Sequence, residues 1–508
     1  MTLFSVKFFI FLLSSIFLYF TIFRKHQNLA LILFSAFFAL SMGGKRTLVF
    51  MFFTLLTTYG GAGFIEKESS QAIRRVIFVL VLVINIGILF SFKYLNFFFG
   101  LGNICFHIAR SEHYFEPIHI VAPLGISFYT LQMIGYLADV YMGITSAETK
   151  FVNYAACASF FPQIMTGPIN KYQNMRTQFE SPRPFSYKNL TYGFQRIMWG
   201  YFKKFVIAER YSVIANTVYG SFREFNGAYI PFATFSFAIQ LYADFSGSID
   251  MMIGIAEIFG IHFEENFQTP FFSTTISEFW RRWHITLGEW FKTYVFYPML
   301  KTDFFIDLGE KAKARFGRKI GKKVPVILAL VILWFLLGFW HGGLWKYIFG
   351  SGLIPCFYMI LGMLWGDKAK KLALRLHINQ ETYSYTLFQR IRTFILFCSG
   401  MVFFRANSFM DGLRLYKHTF DNNWTLFSME GLTSLGLDIH DLNIAFYALI
   451  LLYIVDKINE KKGSVRDIIA KQGIIFRWII YIGLFFSVII FGMYGTAFNA
   501  ADFIYAGF

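Results

Sequence analysis

Long apolar stretches, many of about 20 residues, alternate along this chain with short polar or basic connections. They fall near 4–23, 29–42, 47–64, 76–99, 118–141, 151–169, 190–218, 229–260, 324–340, 344–365, 387–404, 443–456 and 474–495. A hydrocarbon layer about 30 Å thick takes about 20 helical residues per crossing, so several of these are too short or too interrupted to cross alone. The pattern predicts an all-α polytopic membrane protein. Segment 151–169 contains Pro162, Gly167 and Pro168, which break a helix, and it reads as a re-entrant or surface-lying piece. Non-helical backbone at membrane depth needs a protein-lined setting for its polar groups, so an enclosed cavity is expected.

Three basic stretches set the topology. Lys301, Lys311, Lys313, Arg315, Arg318, Lys319, Lys322 and Lys323 fall within 301–323; Lys368, Lys370, Lys371 and Arg375 within 367–375; Lys457, Lys461, Lys462, Arg466 and Lys471 within 457–471. The positive-inside rule places all three in the cytoplasm and the C-terminus outside. Residues 324–366 lie between the first two, about 64 Å of helix at 1.5 Å per residue, barely two crossings. The middle of that stretch reads Trp340-His341-Gly342-Gly343, which puts His341 inside the membrane zone beside a glycine pair able to bend or end a helix. No internal repeat or separate soluble domain is visible, and residues 1–508 read as one integral membrane domain, with core motifs about 120–410 and C-terminal spans 443–495.

Composition narrows the classes. Of 508 residues only 15% are charged and 68 are Phe, which excludes a water-soluble enzyme and a disordered chain. The net charge of +17 reads as basic loops meeting anionic headgroups, so membrane lipid is the expected partner and nucleic acid is not. Cys105, Cys157, Cys356 and Cys398 stand singly in apolar sequence, with neither a disulfide framework nor a metal site. Residues 4–20 resemble a signal-peptide core, but Arg24-Lys25-His26 and another apolar run follow, so a retained first span is expected.

Ten histidines are present. His26, His377 and His418 sit in basic contexts, and His262 and His440 border loops. His107, His113 and His119 are spaced six apart, which suits neither a helix face nor a strand ladder for a metal. His284 and His341 differ, because each is flanked by tryptophan in apolar sequence. An ionisable side chain in a membrane protein is either functional or held by a neighbouring helix, and for His341 both readings stand equally. The stretch 278–292 is too charged to face lipid. Read as one helix, it sets Glu278, Arg282 and Glu289 on one stripe, Arg281, His284 and Gly288 on a second, and Trp283, Leu287 and Trp290 on a third. That helix either lines a polar tunnel or lies in the interface as an amphipathic belt. Asp139 and Asp244 sit in apolar spans, where a helix-to-helix hydrogen bond competes with catalysis. There is no G-x-S-x-G elbow, P-loop or G-x-G-x-x-G fingerprint. A transporter would share broken helices and buried charge, but it predicts related halves and none are seen.

Several blocks nevertheless recur together: Pro123-Leu124-Gly125-Ile126-Ser127-Phe128-Tyr129 with Tyr136-Leu137-Ala138-Asp139-Val140-Tyr141; Phe161-Pro162-Gln163 with Gly167-Pro168-Ile169; QLYADFSGSIDMMIG from Gln240 to Gly254; Phe279-Trp280-Arg281-Arg282-Trp283-His284; Trp340-His341-Gly342; Phe404-Arg405-Ala406; and the terminal FIYAGF. In these blocks the chain resembles the membrane-bound O-acyltransferase (MBOAT) superfamily, and within it the bacterial alginate O-acetyltransferase branch. Ser248 stands where that branch usually has an aromatic residue, and Ala506-Gly507-Phe508 where it tends to have Phe-Gln-Phe.

The resemblance implies a bundle of about 11–13 membrane helices and re-entrant segments enclosing a tunnel, in a bacterial cell (inner or plasma) membrane. It implies His341 and His284 as the catalytic pair, with Arg281, Arg282, Trp283, Trp340 and Asp244 along the tunnel and no metal. It implies acetyl-CoA as acyl donor with no tightly bound cofactor, a polysaccharide acceptor and an extracytoplasmic SGNH-type acetyltransferase partner. In the mechanism this suggests, His341 takes the proton of the attacking hydroxyl, while His284 either orients it or donates to the developing oxyanion. D-alanyl transfer towards teichoic acid from a carrier-protein thioester is the nearest alternative chemistry.

Overall fold

The computed structural model describes residues 2–494 except 111–112, 119 and 165; His119 and the FIYAGF motif lie outside the described residues. Among those described the fold is helical, and the one β-bridge joins Phe267 to Trp283. Seven helices are long and apolar enough to cross a membrane: Gln27–Lys67, Gln71–Lys93, Lys323–Trp340, Trp345–Arg375, Tyr383–Arg405, Ile439–Lys462 and Ile474–Phe491. Val6–Phe20 and Leu95–Ile108 are shorter apolar helices. The protein is an all-α, multi-pass membrane protein. The apolar stretches at 29–42 and 47–64 lie on either side of Gly44, whose φ of 69° kinks Gln27–Lys67 into two helical pieces.

The described residues form two compact units. The first runs to Gly200 and includes Ser248–Glu264. Within it Gln27–Lys67 packs on Gln71–Lys93, Ile126–Tyr141 and Phe151–Ala158. The break expected at 151–169 is present: helix Phe151–Ala158 stops, a single turn Phe161–Ile164 follows, and both are largely buried rather than surface-lying. Protein groups satisfy the broken backbone and its side chains. Ser35 Oγ accepts the Phe161 N–H at 3.0 Å, Asn170 Nδ2 donates to Gln163 Oε1 at 3.2 Å, and Asn170 Oδ1 accepts the Glu264 N–H at 3.0 Å. The Ser35 hydroxyl and the Gln163 and Asn170 amides thus hold this segment within protein, the protein-lined setting that was expected.

The second unit comprises Tyr201–Gly247 and the described residues from Glu265 onward, and holds five of the seven spanning helices. Where Trp345–Arg375 meets Tyr383–Arg405, a Cβ on Gly350 would lie 2.8 Å from the Gly400 carbonyl, so only glycine allows this backbone approach. The basic stretch 301–323, read above as a loop, is largely helix Asp303–Gly321, packed on Lys323–Trp340. Asp303 in its first turn suits the helix dipole, and Gly317, with φ 76°, kinks the run before Arg318 and Lys319. The basic residues of 367–375 and Lys461 and Lys462 likewise extend the C-terminal ends of spanning helices.

Candidate functional site

The site is built in the second unit, from the stretch Glu265–Phe291 and the end of helix Lys323–Trp340. Thr275 caps a seven-residue helix, Ile276–Arg282, by accepting the Glu278 N–H at 3.1 Å. The Glu278 carboxylate reaches back to the Thr274 N–H and hydroxyl at 2.8 and 2.9 Å, a capping arrangement that satisfies the helix start. Arg282, at the other end, lies between two carboxylates, 2.7 Å from Glu278 and 2.7 Å from Glu460. Glu460 also accepts the Thr269 hydroxyl at 2.5 Å.

The continuous helix expected over 278–292 is not formed. Trp283 turns extended, its neighbour Arg282 accepts the Gln268 N–H at 3.0 Å, and His284 adopts a left-handed conformation with φ 45° and ψ 53° before helix Ile285–Phe291 begins. Such a conformation costs a non-glycine residue about 1–3 kcal/mol and needs local compensation. Asn266 supplies it. Its carbonyl accepts the Ile285 N–H at 3.0 Å, and its Oδ1 accepts the Thr286 N–H at 3.1 Å and the Thr286 hydroxyl at 3.0 Å. The same Oδ1 is 3.2 Å from His284 Nδ1. Because the helix breaks, the three stripes read from 278–292 do not form across it. The Glu278–Arg282 pair survives within the first helix, and Glu289 pairs instead with Lys292 at 2.6 Å.

His341 follows the last residue of helix Lys323–Trp340. The Gly342 and Gly343 N–H groups both donate to the Phe339 carbonyl, at 3.1 and 2.8 Å. Their φ values of 136° and 65° are ones that L side chains rarely adopt, which is why the Gly-Gly pair ends the helix here. His341 therefore sits at the C-terminal, negative end of the helix dipole.

Both imidazoles are buried and both contact one indole. The Trp340 ring centroid is 6.2 Å from that of His284 and 5.1 Å from that of His341. Phe245 stands edge-on to His284 at 4.8 Å, and Phe404 edge-on to His341 at 5.4 Å. Trp280 packs on Trp334 at 5.1 Å, tying the His284 segment to the helix that carries His341. His284 lies outside the seven spanning helices. Burial first, and then the nearby His341, hold its imidazole well below its ordinary range, so it is neutral.

The other expected site residues separate. Trp340 touches both histidine rings. Trp283 is buried in an aromatic cluster with Phe267, Phe279 and Phe397, at 5.1, 5.6 and 5.4 Å. Arg281 is exposed while His284 is buried, so the two do not share an inward face. Arg282 is held by its two carboxylates. Asp244 is buried and paired at 2.6 Å with Lys204, which also meets Glu209 at 2.8 Å; the adjacent Phe245, not Asp244, gives His284 its ring contact. Asn266, Glu460, Trp280 and Trp334 were missed from the sequence. Asn266 sits in a polar run before Pro270 that reads as an ordinary turn, and nothing in its type marks it as a partner of a residue 18 positions on. Among the described residues, Asn266 Nδ2 and the indole N–H groups of Trp280 and Trp334 are buried donors with no protein acceptor.

A family model for membrane-bound O-acyltransferases matches residues 145–306, a range that contains Asp244, Asn266 and His284. The probable alginate O-acetylase AlgI of Pseudomonas syringae pv. tomato is 29% identical over 458 residues, covering 88% of this chain and 80% of that protein. The peptidoglycan O-acetyltransferase of Helicobacter pylori is 30% identical over 389 residues, covering 70% of this chain and 66% of that protein. A teichoic acid D-alanyltransferase of Bacillus subtilis is 26% identical over 318 residues, 61% of this chain and 75% of its own. With this helical membrane architecture and these similarities, the chain belongs to the membrane-bound O-acyltransferase family, on its alginate O-acetylase-like branch, and is an O-acyltransferase.

Proposed function

We propose that this O-acyltransferase moves acetyl groups from cytoplasmic acetyl-CoA across a bacterial cell membrane, for O-acetylation of a polysaccharide outside it, with His341 as general base. The observation that carries the reading is the pair of buried imidazoles packed on the one indole of Trp340. A thioester is already activated, so its transfer needs chiefly a proton acceptor and stabilisation of the oxyanion. The hydroxyl oxygen forms a bond to the acyl carbon as the carbon–sulfur bond breaks. The hydroxyl proton passes to His341, and from His341 to the departing thiolate. The C-terminal end of helix Lys323–Trp340 favours the imidazolium that exists between these two transfers.

Alginate and peptidoglycan, in the names of the relatives, are both polysaccharides, which supports a glycan acceptor. The basic face of helix Asp303–Gly321 and the exposed Arg281 are the cations available to attract the CoA phosphates. A tunnel would bring thioester and alcohol to the histidines from opposite sides, and an SGNH-type protein outside the membrane would complete delivery to the polymer. The test is acetyl release or transfer from labelled acetyl-CoA by membranes containing the protein. His341→Ala at normal expression should lose the activity by about 10³-fold or more. Full activity in that variant removes His341 from the chemistry. Turnover only with a D-alanyl carrier-protein thioester would replace acetyl with D-alanyl.

A further inference from the structure

The carboxamide of Asn266 decides which nitrogen of His284 carries the proton. A backbone N–H can only donate, and the Thr286 N–H lies 3.1 Å from Asn266 Oδ1. That contact fixes the oxygen end of the amide towards His284, since the flipped amide would set two donors against each other. An amide oxygen can only accept, and it lies 3.2 Å from His284 Nδ1. Nδ1 therefore holds the proton, and in a neutral ring the lone pair falls on Nε2.

We infer that Asn266 is a positioning residue of the acyl transfer: it locks His284 as the Nδ1–H tautomer and so makes Nε2 a hydrogen-bond acceptor. The inference rests on the proposed function only in taking the His284–His341 pair as the reacting centre. It chooses between the two roles open to His284. A neutral ring presenting a bare Nε2 cannot donate to an oxyanion. It accepts a hydrogen bond, from the attacking hydroxyl or from a ring N–H of His341, and thereby orients the group that gives up or receives the proton. Burial of His284 keeps the ring neutral and reinforces this assignment. The donor to the oxyanion then comes from another group.

The backbone gives Asn266 a second hold. Its carbonyl accepts the Ile285 N–H at 3.0 Å, so one residue sets both the left-handed turn at His284 and the tautomer of its ring. A residue that only braced the turn would leave the ring chemistry untouched when replaced by a similar acceptor, and this separates the two readings.

The full-length protein, labelled with ¹⁵N-histidine and held in lipid nanodiscs, reports the tautomer directly, with the His284 signal assigned by its loss in His284→Gln. The expected wild-type ring has a protonated Nδ1 and an unprotonated Nε2; an Nε2-protonated neutral ring overturns the inference. Asn266→Ala should lower kcat by at least 30-fold with the donor KM within threefold of wild type. Asn266→Asp keeps an acceptor at Nδ1 but adds a negative charge that favours the imidazolium. It should recover part of the kcat, with the acidic limb of the pH–rate profile moved up by a unit or more. A wild-type profile in Asn266→Asp overturns the positioning role. If Asn266→Ala does not fold, the wild-type spectrum and the Asn266→Asp profile still decide. His341→Ala is assayed in parallel: activity surviving there defeats the proposed base, while the His284 tautomer is judged from its own resonance.

Discussion

Lys204 and Asp244 meet at 2.6 Å, both buried, and Glu209 approaches the same ammonium at 2.8 Å. Lys204 thus meets two carboxylates away from water, and removing it takes a counter-charge from each. Lys204→Met is expected to destabilise the protein by about 3–5 kcal/mol, the usual cost of breaking a buried pair from one side. Asp244→Asn should be milder, since Glu209 still neutralises Lys204. Melting temperatures in one detergent compare them. An Asp244→Asn variant that melts normally yet is inactive would give Asp244 a chemical role that its pairing does not suggest.

Trp340 is in contact with both imidazoles, so its size should matter to rate more than to folding. Trp340→Phe keeps an aromatic ring but withdraws part of the surface on which both histidines pack. We expect at least a tenfold fall in kcat, in line with the sensitivity of reactions to small misplacements, with melting little changed. Trp340→Ala should cost about 3–5 kcal/mol of stability as well. Equal losses of activity and stability in Trp340→Phe would mean that the indole only fills space.

Gly342 has a φ of 136°, far from any conformation comfortable for alanine. Gly342→Ala should strain the end of helix Lys323–Trp340 by about 1–3 kcal/mol and displace the imidazole beside it. The measurable outcome is lower kcat at nearly unchanged expression. Wild-type kinetics in this variant would show that the position of His341 does not depend on the glycine turn.

The carboxyl of Glu278 lies below its ordinary value of 4.5. Burial alone would raise it, but hydrogen bonds from the Thr274 N–H and hydroxyl, and then the charge and hydrogen bond of Arg282, outweigh that effect. A depressed carboxylate contributes stability that is complete above its unfolded pKa and is lost as pH falls through the folded one. The melting temperature should therefore drop as pH goes below about 4.5, and Glu278→Gln should flatten that part of the curve. An identical pH dependence in the variant would exclude Glu278 as its source.

The spans were legible because crossing hydrocarbon is a property of composition over some 20 residues, and composition is local. The turn at Gly342-Gly343 was legible too, since glycine pairs announce a helix end wherever they occur. The segment around His284 was not. Its residues satisfy a helical pattern through Lys292, and the break comes from Asn266, a residue whose hydrogen bonds outweigh local periodicity. Helix Asp303–Gly321 was hidden for the opposite reason: its many lysines and arginines suggested a loop, although Phe305 and Ala312 supply a buried apolar stripe. Asp244 was noticed as a costly charge, but its counter-ion lies 40 residues away on a π-helical turn, Phe202–Ala208, and no sequence spacing points to it.

The two imidazoles differ in how their backbone is held. His284 is pinned on both sides of its turn by Asn266, through main chain and side chain together, whereas the chain beyond His341 runs straight into two glycines. In the acyl transfer proposed above, Asn266 would thus make His284 a fixed point against which any movement that admits a bulky thioester and releases the thiol is gauged.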